Sequence, residues 1–269
     1  MLSARVTTGR PTSPFVRALG EIAVLLGVAL LFTWLHTAAG RGVAAAAADN
    51  AHALQATERA LGLDIELAAN QWLVGHPAFI QPAVHYYRLY YVVLLGVLVW
   101  IFVRHAHVYL RARRALVAMA VLVLPVFWVL PMAPPRFALP GIVDVIAEHD
   151  FVDGPATRSL ESGHNLFSAM PSMHTAWSLW CAYAAWCALR ATHPRSAVLP
   201  WLFPLGMITV VLTTGNHYVL DVVGSAVLLT VSVAVASVWG RLAVTPGREL
   251  RAATPSSAAR TPPRRRGTS

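Results

Sequence analysis

Six stretches of this chain are apolar over about the length that a helix needs to cross a bilayer: 19–39, 78–103, 115–132, 173–189, 197–214 and 218–239. A hydrocarbon core of ~30 Å takes ~20 residues in helical form. Inside it every backbone amide and carbonyl needs a partner from its own segment, which a helix supplies. Only 12% of the 269 residues are charged, roughly half the share carried by a soluble globular domain. The pattern predicts an all-α polytopic membrane protein with six transmembrane helices forming a bundle. The fourth and fifth stretches are short. Pro200 and Pro204 fall in the first turns of the fifth, where proline is better tolerated than in mid-helix, although Pro204 can kink it.

Arginine orients the bundle. All 21 basic residues are arginine, and short cytoplasmic loops are enriched in such residues. Sixteen collect on one side of the predicted spans: Arg5, Arg10 and Arg17, then Arg104, Arg111, Arg113 and Arg114, then Arg190 and Arg195, then seven from Arg241 to Arg266. The other side holds Arg41, Arg59, Arg136 and Arg158 with most of the acids, among them Asp49, Glu58, Asp64, Glu66 and those from Asp144 to Glu161. Both termini are therefore expected in the cytoplasm, and 40–77, 133–172 and 214–218 on the outer face.

The chain divides into a cytoplasmic arm (1–17), a membrane domain (18–244) and a basic tail (245–269) whose Pro, Ser, Ala and Arg content predicts disorder. Within the membrane domain, 40–77 reads as an amphipathic helical segment on the outer surface, with Leu54, Leu61, Ile65 and Leu73 spaced for one face. Ala23 to Leu35 also fits the apolar region of a signal peptide, with small residues at Ala46 to Ala48; cleavage there leaves five spans with the same orientation. The formal net charge of +9 is explained by arginines beside apolar segments, so no nucleic-acid partner is expected. Cys181 and Cys187, six apart in one apolar run, have the wrong spacing for a zinc knuckle or a redox pair and read as buried thiols.

Ionisable groups at membrane level are costly and need a reason. They occur at three span ends on the outer side: Pro131 to Arg136, Asn165 to His174, and Thr213 to Asp221. His217 and Asp221 are four apart at a helix start, hence on one face. There the carboxylate can hold one ring nitrogen and leave the other free to attack. Ser172 and His174 follow Pro171 at the opening of a helix, where free amides and the helix dipole suit an anion. His174 can then protonate a leaving oxygen. Arg136, after the Pro134–Pro135 turn, offers a fork of donors to phosphate. His36, His52, His76, His149 and His193 are read as ordinary hydrogen-bonding residues, and His105 and His107 as part of the basic loop.

The residues Pro171 to His174 and His217 to Asp221 resemble the Pro-Ser-x-His and His-x-x-x-Asp motifs of the type 2 phosphatidic acid phosphatase superfamily, in the expected order. The resemblance covers about 115–240, the expected catalytic core. It implies that His217 attacks phosphorus to form a phosphohistidine, that Asp221 orients it and that His174 protonates the leaving group. It implies no cofactor and no metal. Two features depart from the phosphatase branch: its lysine motif has no counterpart, and Val211 stands where that branch has an arginine. The segments around Pro134–Pro135–Arg136, Met170 to His174 and Thr214 to Tyr218 look instead like the inositol phosphorylceramide synthase branch, which moves a head-group phosphate between lipids. The phosphate clamp is then reassigned to Arg136, with Arg88 beside Tyr87 in the second span as the next candidate and Ser172, Asn165 and Asn216 as further donors.

The expected partners are the bilayer and a lipid phosphate or phosphodiester, the acceptor being water or a lipid alcohol. The expected setting is a bacterial cytoplasmic membrane with the site outward. Two other classes compete. Two histidines and an aspartate can form a facial metal triad, which chelator-sensitive activity would reveal. A non-catalytic transporter or lipid-binding protein would instead keep its function after His217→Ala.

Overall fold

A computed structural model of the protein describes residues 13–149 and 164–252. Arg158 and the acids Asp150, Asp153 and Glu161 of the third outer segment, most of the N-terminal arm and the tail beyond 252 lie outside the described residues. The helices are α1 (Pro14–Ala39), α2 (Ala44–Leu61), α3 (Glu66–Val74), α4 (Ile80–Arg104), α5 (Ala106–Val129), the short α6 (Pro135–Ala138) and α7 (Val145–His149), α8 (Met173–Leu189), α9 (Leu202–Thr213) and α10 (Val219–Ala252). No strand occurs among the described residues, only an isolated parallel bridge between Met132 and Ser168.

Five helical segments are long and apolar enough to cross a membrane: Phe15–Ala39, Pro77–Arg104, Ala106–Val129, Ser196–Thr213 and Val219–Ala243. The chain is an all-α, polytopic integral membrane protein. The expected fourth span, α8, has 17 residues, about 25 Å at 1.5 Å per residue and so short of the ~30 Å core. It sits at the centre of the bundle, packed by α4, α5, α9 and α10. Small residues let these neighbours approach: Ala176, Cys181, Ala184 and Ala188 are buried, and Trp180 is fully buried with its indole N–H donating to the Ala112 carbonyl at 2.9 Å. Cys187 is half-buried; both cysteines are free thiols. By contrast α1 exposes Leu19, Ile22, Leu26, Leu30 and Trp34 and packs on α5. An apolar face turned outward is what a lipid-facing helix requires.

Three boundaries differ from the sequence expectation. The third span begins at Ala106 rather than 115, because only His105 separates α4 from α5. Arg111, Arg113 and Arg114 are thus helical residues rather than loop residues. Arg113 pairs with Glu21 of α1, which also accepts from the Tyr109 hydroxyl at 2.9 Å; Arg111 donates to Ser237 at 3.4 Å; Arg114 lies over the Trp239 ring. The 40–77 segment is two helices, because Gly62 takes a left-handed conformation (φ +67°) that ends α2. Finally, α10 continues to Ala252, into the segment assigned to the tail.

Candidate active site

Loops at one end of the bundle are laced together and carry the polar motifs. Met132 N–H donates to Phe167 O, and Ala169 N–H to Met132 O, which joins the end of α5 to the approach to α8. The Asn70 side chain of α3 donates to Val143 O and Thr213 O and accepts from Val143 N–H. Gly215 (φ +73°) brings the α9–α10 turn so close that a Cβ there would lie 2.6 Å from Ile142 Cγ2 and 3.1 Å from Val143 O. Arg136 N–H then donates to Gly215 O at 3.1 Å.

On this frame the three predicted residues meet. His217 Nδ1 lies 2.9 Å from Ala169 O and 3.2 Å from Asp221 Oδ2. Both partners only accept, so Nδ1 carries the hydrogen and, in the neutral ring, Nε2 is the nitrogen with the lone pair. Asp221 is fully buried and also accepts from Tyr218 N–H at 2.9 Å. His174, in the first turn of α8, has its ring centroid 6.1 Å from that of His217, stacked on Tyr87 at 4.2 Å and edge-on to Tyr90 at 4.6 Å. His174 and His217 line one cavity of about 670 Å³. Its polar end holds Arg88, Arg136, Asn165 and Asn216, and its walls continue along apolar residues of α1 (Leu25, Val28, Phe32), α4 (Leu94, Leu98) and α5 (Leu116, Val117).

The candidate phosphate ligands differ in how far their polar atoms are already engaged. Arg136 lines the cavity with its charge partly matched: Nε is 2.9 Å from Asp144 Oδ2 and Nη1 donates to Asn216 Oδ1 at 2.6 Å. Asn216 also donates to Thr214 Oγ1 and O, so it fixes Arg136. Asn165 is likewise engaged, donating to His36 O and accepting from Phe167 N–H, both at 2.9 Å. It ties the end of α1 to the approach to α8, and Gly40 is the residue that lets it come so near. Ser172 serves the start of α8 instead. It is fully buried, its Oγ accepts from Thr175 N–H as the cap of α8, and its backbone carbonyl accepts from Ser225. It shapes the helix start and does not line the cavity.

Several residues escaped the sequence reading. His36, which the sequence alone does not set apart from the other histidines, lines the cavity, lies 2.9 Å from Ser168 Oγ and stacks on Phe32. Tyr87 and Tyr90 face His174, and the Ala169 carbonyl shares His217 with Asp221. Glu58 and Glu66 lie behind α10 and accept from its first amides. A backbone carbonyl leaves no sequence signal, and Glu58 and Glu66 stand among other charged residues of the same outer segment, Asp49, Arg59 and Asp64, so nothing in the sequence singles them out.

No curated protein and no solved structure matches the chain. The family model of the PAP2 superfamily matches residues 52–235. That match spans well over half of the chain and includes His174, His217 and Asp221, so the protein belongs to the PAP2 superfamily, whose members are phosphatases acting on phosphate esters.

Proposed function

We propose that the protein moves the phosphate or phosphodiester head group of a membrane lipid through a phosphohistidine at His217, without a metal. The observation that carries this reading is the held tautomer: two acceptors on Nδ1 leave Nε2 as a nucleophile in the cavity shared with His174. Nε2 attacks phosphorus, the bond to the leaving oxygen breaks, and His174 gives that oxygen its proton. In the second half His174 takes a proton from an incoming hydroxyl, whose oxygen attacks phosphorus as the N–P bond breaks. Asp221 offsets the positive charge that develops on the His217 ring.

The incoming hydroxyl belongs to a lipid alcohol in the reading favoured here, that of an inositolphosphotransferase-like enzyme; a simple phosphatase uses water in the same step. Two features support the transferase. The apolar slot along α1, α4 and α5 suits chains of amphiphiles. The cations are few, with Arg136 already matched by Asp144 and Val211 fully buried where the phosphatases carry an arginine, which suits a phosphodiester of lower charge than a monoester. The arginine-rich ends of the spans lie at the other end of the bundle, so by the positive-inside rule the site faces outward with both termini cytoplasmic.

The test is incubation of the detergent-purified protein with a labelled panel of lipid phosphates and phosphodiesters, with and without a lipid alcohol. A new phosphodiester that appears only with the alcohol supports transfer; free phosphate in both arms supports the phosphatase. His217→Ala is expected to abolish either product, by at least about 10⁴-fold, while the protein stays folded. Retained turnover in that variant sinks the mechanism.

A further inference from the structure

The first turn of α10 is held by carboxyls from three different elements. Tyr218 N–H donates to Asp221 Oδ2 at 2.9 Å, Val219 N–H to Glu66 Oε1 at 3.1 Å and Leu220 N–H to Glu58 Oε1 at 2.6 Å. Glu58 on α2 is 0% exposed and Glu66 on α3 is 1% exposed. The titratable groups that face Glu58 are Glu66 from α3 and Asp221 from α10, with the Tyr218 phenol beside all three carboxyls. The neighbouring basic groups are committed elsewhere: Arg59 of α2 to Asp64 at the surface, Arg136 of α6 to Asp144 and Asn216, and His52 of α2 toward Ala138 O.

A helix N-terminus offers about half a unit of positive charge, too little for three carboxylates. The geometry also says where a proton belongs. Glu58 Oε2 is sealed from solvent with no donor meeting it, and an ionised oxygen left in that state is costly. A protonated one can donate to the adjacent Glu66 carboxyl. We propose that Glu58 and Glu66 share one proton and act as a clamp on the first turn of α10, positioning His217 and Asp221 for attack. They are positioning residues; neither lines the cavity.

Burial, reinforced by the hydrogen bond and charge of Glu66 and by the charge of Asp221, pushes the Glu58 carboxyl up to about 8 against the lowering effect of the Leu220 amide. A carboxyl raised in the folded state binds its proton more tightly there than in the unfolded chain. Its contribution to stability is therefore complete below the ordinary carboxylate range and is lost as pH rises through about 8. Above that pH two adjacent charges repel across the clamp.

This inference rests on His217 and Asp221 being the reactive pair, and its test has one arm that does not. Thermal unfolding of the full chain in detergent is followed from pH 6 to pH 9.5 for the wild type, Glu58→Gln and Glu58→Ala. The wild type is expected to lose unfolding temperature steadily from pH 6 to about 8 and to level off above it, and Glu58→Gln, which keeps a donor and an acceptor without a titrating group, to stay flat through that window. In the activity arm, Glu58→Ala and Glu66→Ala are expected to lower kcat by about tenfold with KM changed less than twofold, and Glu58→Gln to restore kcat at neutral pH. An unfolding profile in Glu58→Gln with the wild-type pH dependence, or full kcat in Glu58→Ala, overturns the clamp. Absence of turnover on every lipid by the wild type defeats the functional reading alone, since the unfolding arm still decides the clamp.

Discussion

In the mechanism proposed above, His217 must keep one ring nitrogen unprotonated, and the Ala169 carbonyl holds the other as closely as Asp221 does, at 2.9 Å against 3.2 Å. The two partners therefore divide the work: the carbonyl secures the tautomer, and the carboxylate adds charge. Asp221→Asn removes the charge and leaves the carbonyl. It is expected to lower kcat by about 10²–10³-fold, less than the ~10⁴-fold seen where an aspartate alone fixes the tautomer, with phosphoenzyme still trapped in acid-quenched samples. Loss equal to that of His217→Ala would give the tautomer to Asp221 instead. At this scale the sequence was readable for the meeting of His174, His217 and Asp221, whose spacing at helix starts puts them side by side. It was not readable for Ser172, Asn165 and Asn216, because a short polar side chain looks the same whether it caps a helix, ties two loops or meets a ligand. Only the positions of the surrounding amides and carbonyls decide between these uses.

Between elements, the site depends on two close approaches. Gly206 of α9 faces Tyr86 of α4, whose hydroxyl donates to Phe203 O at 3.0 Å. Gly215 combines a left-handed backbone with contacts to Ile142 and Val143. Gly215→Ala is expected to cost about 1–2 kcal/mol for the conformation alone, to add a clash that pushes back the 142–143 loop, and so to disturb Arg136, whose amide is bonded to Gly215 O. A lower unfolding temperature together with a raised KM is the expected result; wild-type values for both would remove the turn from the site's support. The break between α2 and α3 and the early start of α5 belong to this scale too. Apolar periodicity runs through Gly62 without a mark, and arginines that snorkel or pair, as Arg113 does with Glu21, can be helical where a charge count reads a loop.

For the molecule as a whole, membrane class and helical content followed from the length of the apolar runs, since the bilayer permits few other answers. The packing order did not, because α8 is apolar all round and its central position depends on which small residues its neighbours meet. That position also sets the depth of the chemistry. His174 stacks on Tyr87, seven residues into α4, which is about 10 Å along that helix at 1.5 Å per residue. On the proposed mechanism the reacting phosphorus then sits below the level at which α4 begins, and a reactant must exchange bulk solvent for that sunken position before any bond changes. Selection then resembles an extraction. Among esters with the same head group, kcat/KM is expected to rise with the oil–water partition coefficient of the attached chain, by about fourfold per added methylene while the slot still has room, and to level off once it is filled. A flat dependence among short-chain esters kept monomeric in water would mean that the chain stays out of the slot.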